Sequence, residues 1–274
     1  LLDRRQGVPA ARPLRELPPG AWRAVHGLMT DIDDTLTRDG AIETVALRAL
    51  HDLAAAGVPV VAITGRPLGW CRELTTQWPV AAVVAENGAV ALVRDAASGA
   101  IDTEYVQDAA TRDRNVLGLR AAAARVLAEV PGTVLARDSA GRETDIAIDH
   151  SEFARLDEAD ICRVLAVLRD EGLTASVSSI HVNAWFGDHS KASGAAWMVR
   201  RLFGRELDTE FERWVYVGDS TNDESMFERF PHAVGVANLL RFAPQLRVWP
   251  AWLADGERGA GFAEVAERLL RDRA

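Results

Sequence analysis

Four short runs of uninterrupted apolar residues set the fold class of this chain: Val58-Pro59-Val60-Val61-Ala62-Ile63, Ala81-Ala82-Val83-Val84-Ala85, Trp214-Val215-Tyr216-Val217 and Ala233-Val234-Gly235-Val236. Runs this short and this apolar read as strands buried on both faces. Helical patterns stand between them. Ile42 to Ala56 carries Val45, Leu47, Leu50, Leu53 and Ala54 at near-helical spacing, and Pro67 suits the first turn of a helix reaching Gln77. Buried strands alternating with helices predict an α/β fold built on a Rossmann-like, doubly wound parallel sheet.

The pattern changes from about Ala89 to Ile180. Candidate strands there come in pairs, Ala89 to Arg94 with Ile101 to Val106 and Thr133 to Arg137 with Thr144 to Ile148, separated by helical stretches Asn115 to Val130 and Leu156 to Glu171. This predicts an α+β insert, antiparallel in the main. The expected organisation is an irregular, proline-rich arm over 1–20, a core formed by 21–88 and 184–274, and an inserted domain over 89–183.

Reactive residues cluster where the core strands run out. Gly27-Leu28-Met29 leads into Asp31-Ile32-Asp33-Asp34-Thr35, the second strand into Thr64-Gly65-Arg66, and the third into Gly218-Asp219-Ser220-Thr221-Asn222-Asp223. Parallel strands put their carboxyl ends on one edge, which predicts that Asp31, Asp33, Thr64, Asp219 and Asp223 converge in one crevice. Converging carboxylates repel unless neutralised, and an oxygen-rich set with few nitrogen or sulfur ligands suits Mg2+. For Asp223 alone, capping the helix that runs through Phe230 is an equal alternative.

Lys191 is the only lysine in the chain and opens a predicted helix, Ala192 to Phe203. A lysine there faces the unfavourable end of the helix dipole, which a bound phosphate would relieve; the alternative is an ordinary surface lysine.

Net charge of −9 argues against nucleic acid or an anionic membrane surface as the main partner. An anionic substrate then needs a local cation. Cys71 and Cys162 fit no metal-ligand spacing and read as two small buried side chains. The chain has no apolar run of spanning length and no leader-like start, so a cytoplasmic setting is expected; oligomeric state is not legible.

Asp31-Ile32-Asp33-Asp34-Thr35-Leu36-Thr37, Ile63-Thr64-Gly65-Arg66-Pro67, Lys191 and Gly218-Asp219-Ser220-Thr221-Asn222-Asp223, in that order, resemble the four motifs of the haloacid dehalogenase superfamily. Glu86-Asn87-Gly88-Ala89 and the insert are similar to its Cof-type subgroup (subclass IIB), which includes sucrose-phosphate and mannosyl-3-phosphoglycerate phosphatases. The resemblance implies that Asp31 is a nucleophile forming an aspartyl-phosphate, and Asp33 the acid for the leaving oxygen and then the base for water. It assigns Thr64 and Lys191 to the phosphoryl oxygens, and Gly65, Arg66, Asn87 and Gly88 to substrate contacts. Mg2+ would bind Asp31, the carbonyl of Asp33, and Asp219, with Asn222 and Asp223 supporting the metal shell or Lys191.

One departure is Asp34, where many relatives carry glycine; Arg66 is read as binding substrate phosphate or pairing with that acid. Within the cap, Arg112, Arg114, Arg137, His150, His181 and Asn183 are candidates for binding an anionic or hydroxyl-rich leaving group, and Trp70, Trp185 and Trp197 for a sugar face. The resulting expectation is a Mg2+-dependent phosphatase acting on a small phosphorylated metabolite, a sugar phosphate in the first instance. A phosphomutase using the same aspartyl-phosphate and a non-catalytic metal- or phosphate-binding protein are the alternatives.

Overall fold

The computed structural model describes residues 11–95 and 97–273. In chain order its elements begin with β1 (Arg12–Pro13), β2 (Gly27–Thr30), the hairpin of β3 (Thr37–Arg38) and β4 (Ala41–Ile42), α1 (Thr44–Ala55), β5 (Val60–Ile63), α2 (Leu68–Gln77) and β6 (Ala82–Ala85). Then come β7 (Val90–Arg94), β8 (Ile101–Tyr105), α3 (Ala109–Glu129), β9 (Val134–Leu135), β10 (Asp145–Asp149), α4 (Glu158–Asp170), β11 (Thr174–Val177) and β12 (His181–Trp185). The chain closes with α5 (Lys191–Phe203), β13 (Trp214–Gly218), α6 (Glu224–Arg229), β14 (His232–Gly235), β15 (Trp252–Leu253) and α7 (Arg258–Arg273).

Two compact units result. One comprises the described residues up to Ile63 with Trp78–Ala82 and Ala195 onward; the other comprises Thr64–Gln77 with Val83–Gly194.

In the first unit, strands β1, β15, β14, β13, β2 and β5 lie side by side in that order, all parallel. Every residue of β2, β5 and β13 is buried, which is why these segments read as unbroken apolar runs. Each large aliphatic side chain buried this way contributes roughly 1.5–3 kcal/mol. Helix α1 turns Leu50 and Leu53 into this core, and α7 adds Phe262, Val265 and Leu269. From β2 the chain steps one way to β5 and the other way to β13, so the strand order reverses between β2 and β13. That reversal opens a crevice beyond the strand ends, where doubly wound sheets bind ligands.

Of the stretch expected to be an irregular arm, residues 1–10 lie outside the described residues. Arg12–Pro13 pairs with Trp252–Leu253 at the sheet margin, and Leu14 and Leu17 are buried. An edge position tolerates Pro13 because the missing N–H would face away from the ladder.

The second unit contains the β7–β8 antiparallel hairpin and a four-stranded antiparallel sheet in the order β11, β12, β10, β9. One face of this sheet, with Ile148, Val182 and Ala184, packs under Leu119, Ala122 and Val126 of α3 and Val164 and Leu168 of α4. The pairing of 133–137 with 144–148 is present in shorter form, whereas β11 and β12 were not anticipated. Helix α3 starts six residues before the expected Asn115, because the Asp108 side chain accepts from the Thr111 N–H and caps it. Cys71 is buried as expected, but Cys162 is exposed: it lies off the stripe through which α4 buries Val164, Val167 and Leu168.

Candidate active site

Asp31 leaves the end of β2 and donates its main-chain N–H to Val217 O of β13, so the ends of these neighbouring strands are in register (2.9 Å). Asp219 follows the last residue of β13. One carboxylate oxygen from each of Asp31, Asp219 and Asp223 lies within 4.8 Å of the others, and all three residues are buried. The trio therefore occupies the sheet's reversal point. Asp33 is half-buried in the turn that follows.

Asp223 carries a second task. Its Oδ2 accepts the main-chain N–H groups of Asp219 and Ser220, and its Oδ1 accepts the Tyr216 hydroxyl. With the Ser220 side chain it completes a capping box, and Asn222 Oδ1 accepts from Ser220 Oγ. The turn that presents Asp219 is thereby fixed by Asp223.

Three carboxylates this close cannot all stay charged without help. At an effective dielectric near 20, each pair at such a separation repels by about 3 kcal/mol or more. The Tyr216 phenol registers the same field: burial, then Asp223 and Asp31, hold its pKa well above the usual value. The donors are hard oxygens without nitrogen or sulfur, so the residues present, Asp31, Asp219 and Asp223, fit a Mg2+ ion.

Asp34 adopts a left-handed conformation (φ 53°), which explains why glycine suits this position and why aspartate, tolerant of that region, can replace it. Its extra charge is matched locally: Arg258 Nε donates to Asp34 Oδ1 at 2.6 Å. Asn238 Nδ2 donates to Asp34 O at 2.9 Å and lies 3.4 Å from Asp219 Oδ2, while Asn238 Oδ1 accepts the Arg258 N–H. Asn238 thus ties the Asp31–Asp34 turn to the Asp219 turn. Nothing in the sequence singled out Asn238 or Arg258, which lie more than 200 residues downstream of Asp34.

The second unit holds Thr64, Gly65, Arg66, Asn87, Gly88 and Lys191. Thr64 Oγ1 accepts the Arg66 N–H, and Asn87 donates its N–H to Thr64 O, so the loops after β5 and β6 interlock. Glu86, Asn87 and Gly88 all have positive φ, an uncommon run of three. Glu86 was missed as a structural hub: its carboxylate accepts the N–H groups of Leu68, Glu143 and Thr144 and the Thr144 hydroxyl. Ser190 caps α5 by accepting the Ser193 N–H, and a side chain at Gly88 would collide with Ser190 O at 2.2 Å. Glycine therefore lets the Glu86–Gly88 loop close against the start of α5, which presents the buried Lys191.

Arg66 pairs with Asp138 and Glu152, while Asp34 has Arg258. Of the other cap candidates, Arg112 lies over the Tyr105 ring and donates to Gln107 O, Arg114 donates to Thr111 Oγ1, and Arg137 stacks on Phe153. His150 meets Ser151 Oγ and Ser178 O, and His181 meets Glu152. Trp185 is buried against His189, and Trp70 stacks under Arg66; Trp197 is half-buried on α5.

Residues 28–113 match the family model of the haloacid dehalogenase-like hydrolases. A phosphoglycolate phosphatase of Methanopyrus kandleri is 27% identical over 257 residues, covering 89% of this chain and 97% of that protein. Among solved structures, the Thermoplasma acidophilum 0175 protein superposes with a TM-score of 0.67 at 18% identity, covering 90% of this chain and 99% of that one. The sucrose-phosphatase of Synechocystis, solved with sucrose and phosphate, gives 0.63 at 17% identity, covering 90% and 98%. No helix among the described residues is long and apolar enough to cross a membrane.

Proposed function

Taking the chain as a haloacid dehalogenase superfamily member of the Cof type, we propose that it is a Mg2+-dependent phosphatase hydrolysing a small phosphorylated metabolite, a sugar phosphate first among the candidates. The observation that carries this reading is the buried trio Asp31, Asp219 and Asp223 at the point where strand order reverses. Such a cluster calls for a cation, and a phosphate dianion can approach a carboxylate only where one is held.

In this reading Asp31 attacks phosphorus and the bond to the leaving oxygen breaks, with Asp33 giving that oxygen its proton. Asp33 then takes a proton from water, whose oxygen attacks phosphorus and frees Asp31 as inorganic phosphate departs. Bound Mg2+ would offset the charge of nucleophile and phosphoryl group. Thr64 and Lys191 are assigned the phosphoryl oxygens, Asn222 and Asp223 the support of the metal holders. The division into a core (21–88 and 184–274) and a cap (89–183) belongs to the same reading, the cap recognising the leaving group and excluding water.

Phosphate release from p-nitrophenyl phosphate and a panel of phosphorylated metabolites, with Mg2+ and with chelator, tests this reading. Wild-type protein should release phosphate only with Mg2+. Asp31→Asn should abolish release while keeping the wild-type circular dichroism spectrum, since its Oδ1 still accepts the Ile32 N–H. Substantial turnover by Asp31→Asn would sink the nucleophile assignment, and an isomerised sugar phosphate without free phosphate would replace hydrolysis by phosphoryl return.

A further inference from the structure

The ladder between β2 and β13 ends where the main-chain N–H of Asp31 meets Val217 O. Asp33, Asp34 and Asp219 lie past that bond, on two turns outside the ladder. A nucleophile on one turn and a carboxylate for the ion on the other need a fixed separation, because an error of about 1 Å in a reacting geometry can cost about a hundredfold in rate.

Asn238 stands between these turns. It is 2% exposed and follows β14 on a backbone that is held without its side chain. Val236 N–H donates to Gly218 O, Ala237 N–H to Gly256 O and Leu239 N–H to Val236 O. The turn before α7 is itself fastened, Glu264 Oε2 accepting the N–H groups of Asp255 and Gly256. From this platform the amide works in three directions. Nδ2 donates to Asp34 O at 2.9 Å and lies 3.4 Å from Asp219 Oδ2, and Oδ1 accepts the Arg258 N–H at 2.8 Å.

Turning the amide over would set its oxygen against two oxygens and its nitrogen against an N–H, so a single orientation is satisfied. An amide kept only for the Arg258 N–H would need one acceptor and no donor. Here the donor nitrogen faces both turns that carry the site's carboxylates. Aspartate has the same shape and, ionised, donates nothing; alanine reaches neither turn.

We propose that Asn238 is a positioning residue of the reaction, resting on the phosphatase reading above: its amide sets the Asp31–Asp34 turn against Asp219, and with that the affinity for Mg2+ and the placing of the nucleophile. The residue touches neither substrate nor reacting atoms. It acts through Asp219 and through the carbonyl of Asp34, whose left-handed backbone (φ 53°) that hydrogen bond holds.

Mg2+ titrated by calorimetry into chelator-stripped protein without substrate gives one readout; kcat and KM for p-nitrophenyl phosphate at saturating Mg2+ give another. Asn238→Ala should raise the Mg2+ Kd about tenfold or more, as loss of a partner behind a metal ligand does. At saturating Mg2+ its kcat should still fall about tenfold, with KM little changed. Lost stability alone would move the urea midpoint and neither constant of the folded protein. Should Asn238→Ala fold poorly, Asn238→Ser, which keeps a short donor on the same backbone, should move both constants the same way by less. Arg258→Ala is the counter-test: it keeps the main-chain N–H that Asn238 accepts and removes a positive charge beside Asp34, so its Mg2+ Kd should not rise. An unchanged Kd and kcat in the folded Asn238 variants overturns the positioning role and leaves the phosphatase reading standing, as does an equal rise of Kd in Arg258→Ala. Wild type that neither binds Mg2+ nor releases phosphate overturns both.

Discussion

The pair Asp34–Arg258 invites a double-mutant cycle, because it joins the turn of the proposed nucleophile to the first residue of α7. Asp34→Gly removes a carboxylate from a left-handed position, which relieves about 1 kcal/mol of backbone strain but adds about as much unfolded-state entropy. What remains is the ion pair. It is short (2.6 Å) and four-fifths or more buried on each side, which places its worth at about 1–2 kcal/mol, above the value of an exposed pair. Arg258→Ala should therefore cost about 1–2 kcal/mol and lower the melting temperature by about 2–6 °C. The Arg258 main-chain N–H still donates to Asn238 Oδ1 in that variant, so the Asn238 link is kept. Asp34→Gly with Arg258→Ala should cost little more than either change alone. The coupling read from urea unfolding of the four proteins should be 1 kcal/mol or more. Activity adds a second axis: with Arg258 gone, Asp34 stands uncompensated three residues from Asp31 and should lower kcat/KM for a dianionic ester, and Asp34→Gly should restore it. A coupling below about 0.3 kcal/mol, or no restoration, would refute the charge-matching argument.

Glu86→Gln should destabilise by about 2–4 kcal/mol, since an amide cannot accept from the Leu68, Glu143 and Thr144 N–H groups with both terminal atoms; an unchanged urea midpoint would count against its hub role. His189 is held neutral by burial, its pKa lowered to about 4, so the unfolded chain takes up this proton near 6.5 before the folded one does. Stability should be fully present above 6.5 and fall by up to about 3 kcal/mol as pH drops toward 4, and His189→Gln should flatten that slope in thermal melts. Adding Mg2+ to chelated wild type should raise the melting temperature, and Asp219→Asn should shrink that rise; an equal rise in both would remove Asp219 from the ion's holders.

What the sequence made legible follows from which residues advertise their surroundings. Strands β5, β6, β13 and β14 are buried on both faces and announce themselves as apolar runs, and the acids following β2 and β13 stand out against them. Strands β11 and β12 were not anticipated because Thr174-Ala175-Ser176-Val177 and His181-Val182-Asn183-Ala184-Trp185 carry no continuous apolar run, only a short alternation of one apolar and one polar face. Asn238 and Arg258 were illegible for another reason: their roles are hydrogen bonds to residues about 20 and more than 200 positions away, and no local pattern encodes those contacts.

Asp223 shows how two readings of one residue stop competing once the geometry is known. From sequence it was either a helix cap or a metal supporter. Its Oδ2 takes two backbone N–H groups and its Oδ1 takes the Tyr216 hydroxyl, which is capping in full, yet one of its oxygens still lies within 4.8 Å of Asp31 and Asp219 oxygens. An ionised carboxylate offers about four lone-pair sites, and these hydrogen bonds lock the rotamer. Capping is thus the means by which the charge is fixed beside Asp219 without relying on a flexible side chain. Asp223→Asn should keep one part and lose the other: the amide oxygen can serve the two backbone donors and the amide nitrogen the tyrosine oxygen, so the fold should survive, while the affinity for Mg2+, titrated by calorimetry, should fall about tenfold or more. Unchanged affinity would assign Asp223 to the turn alone.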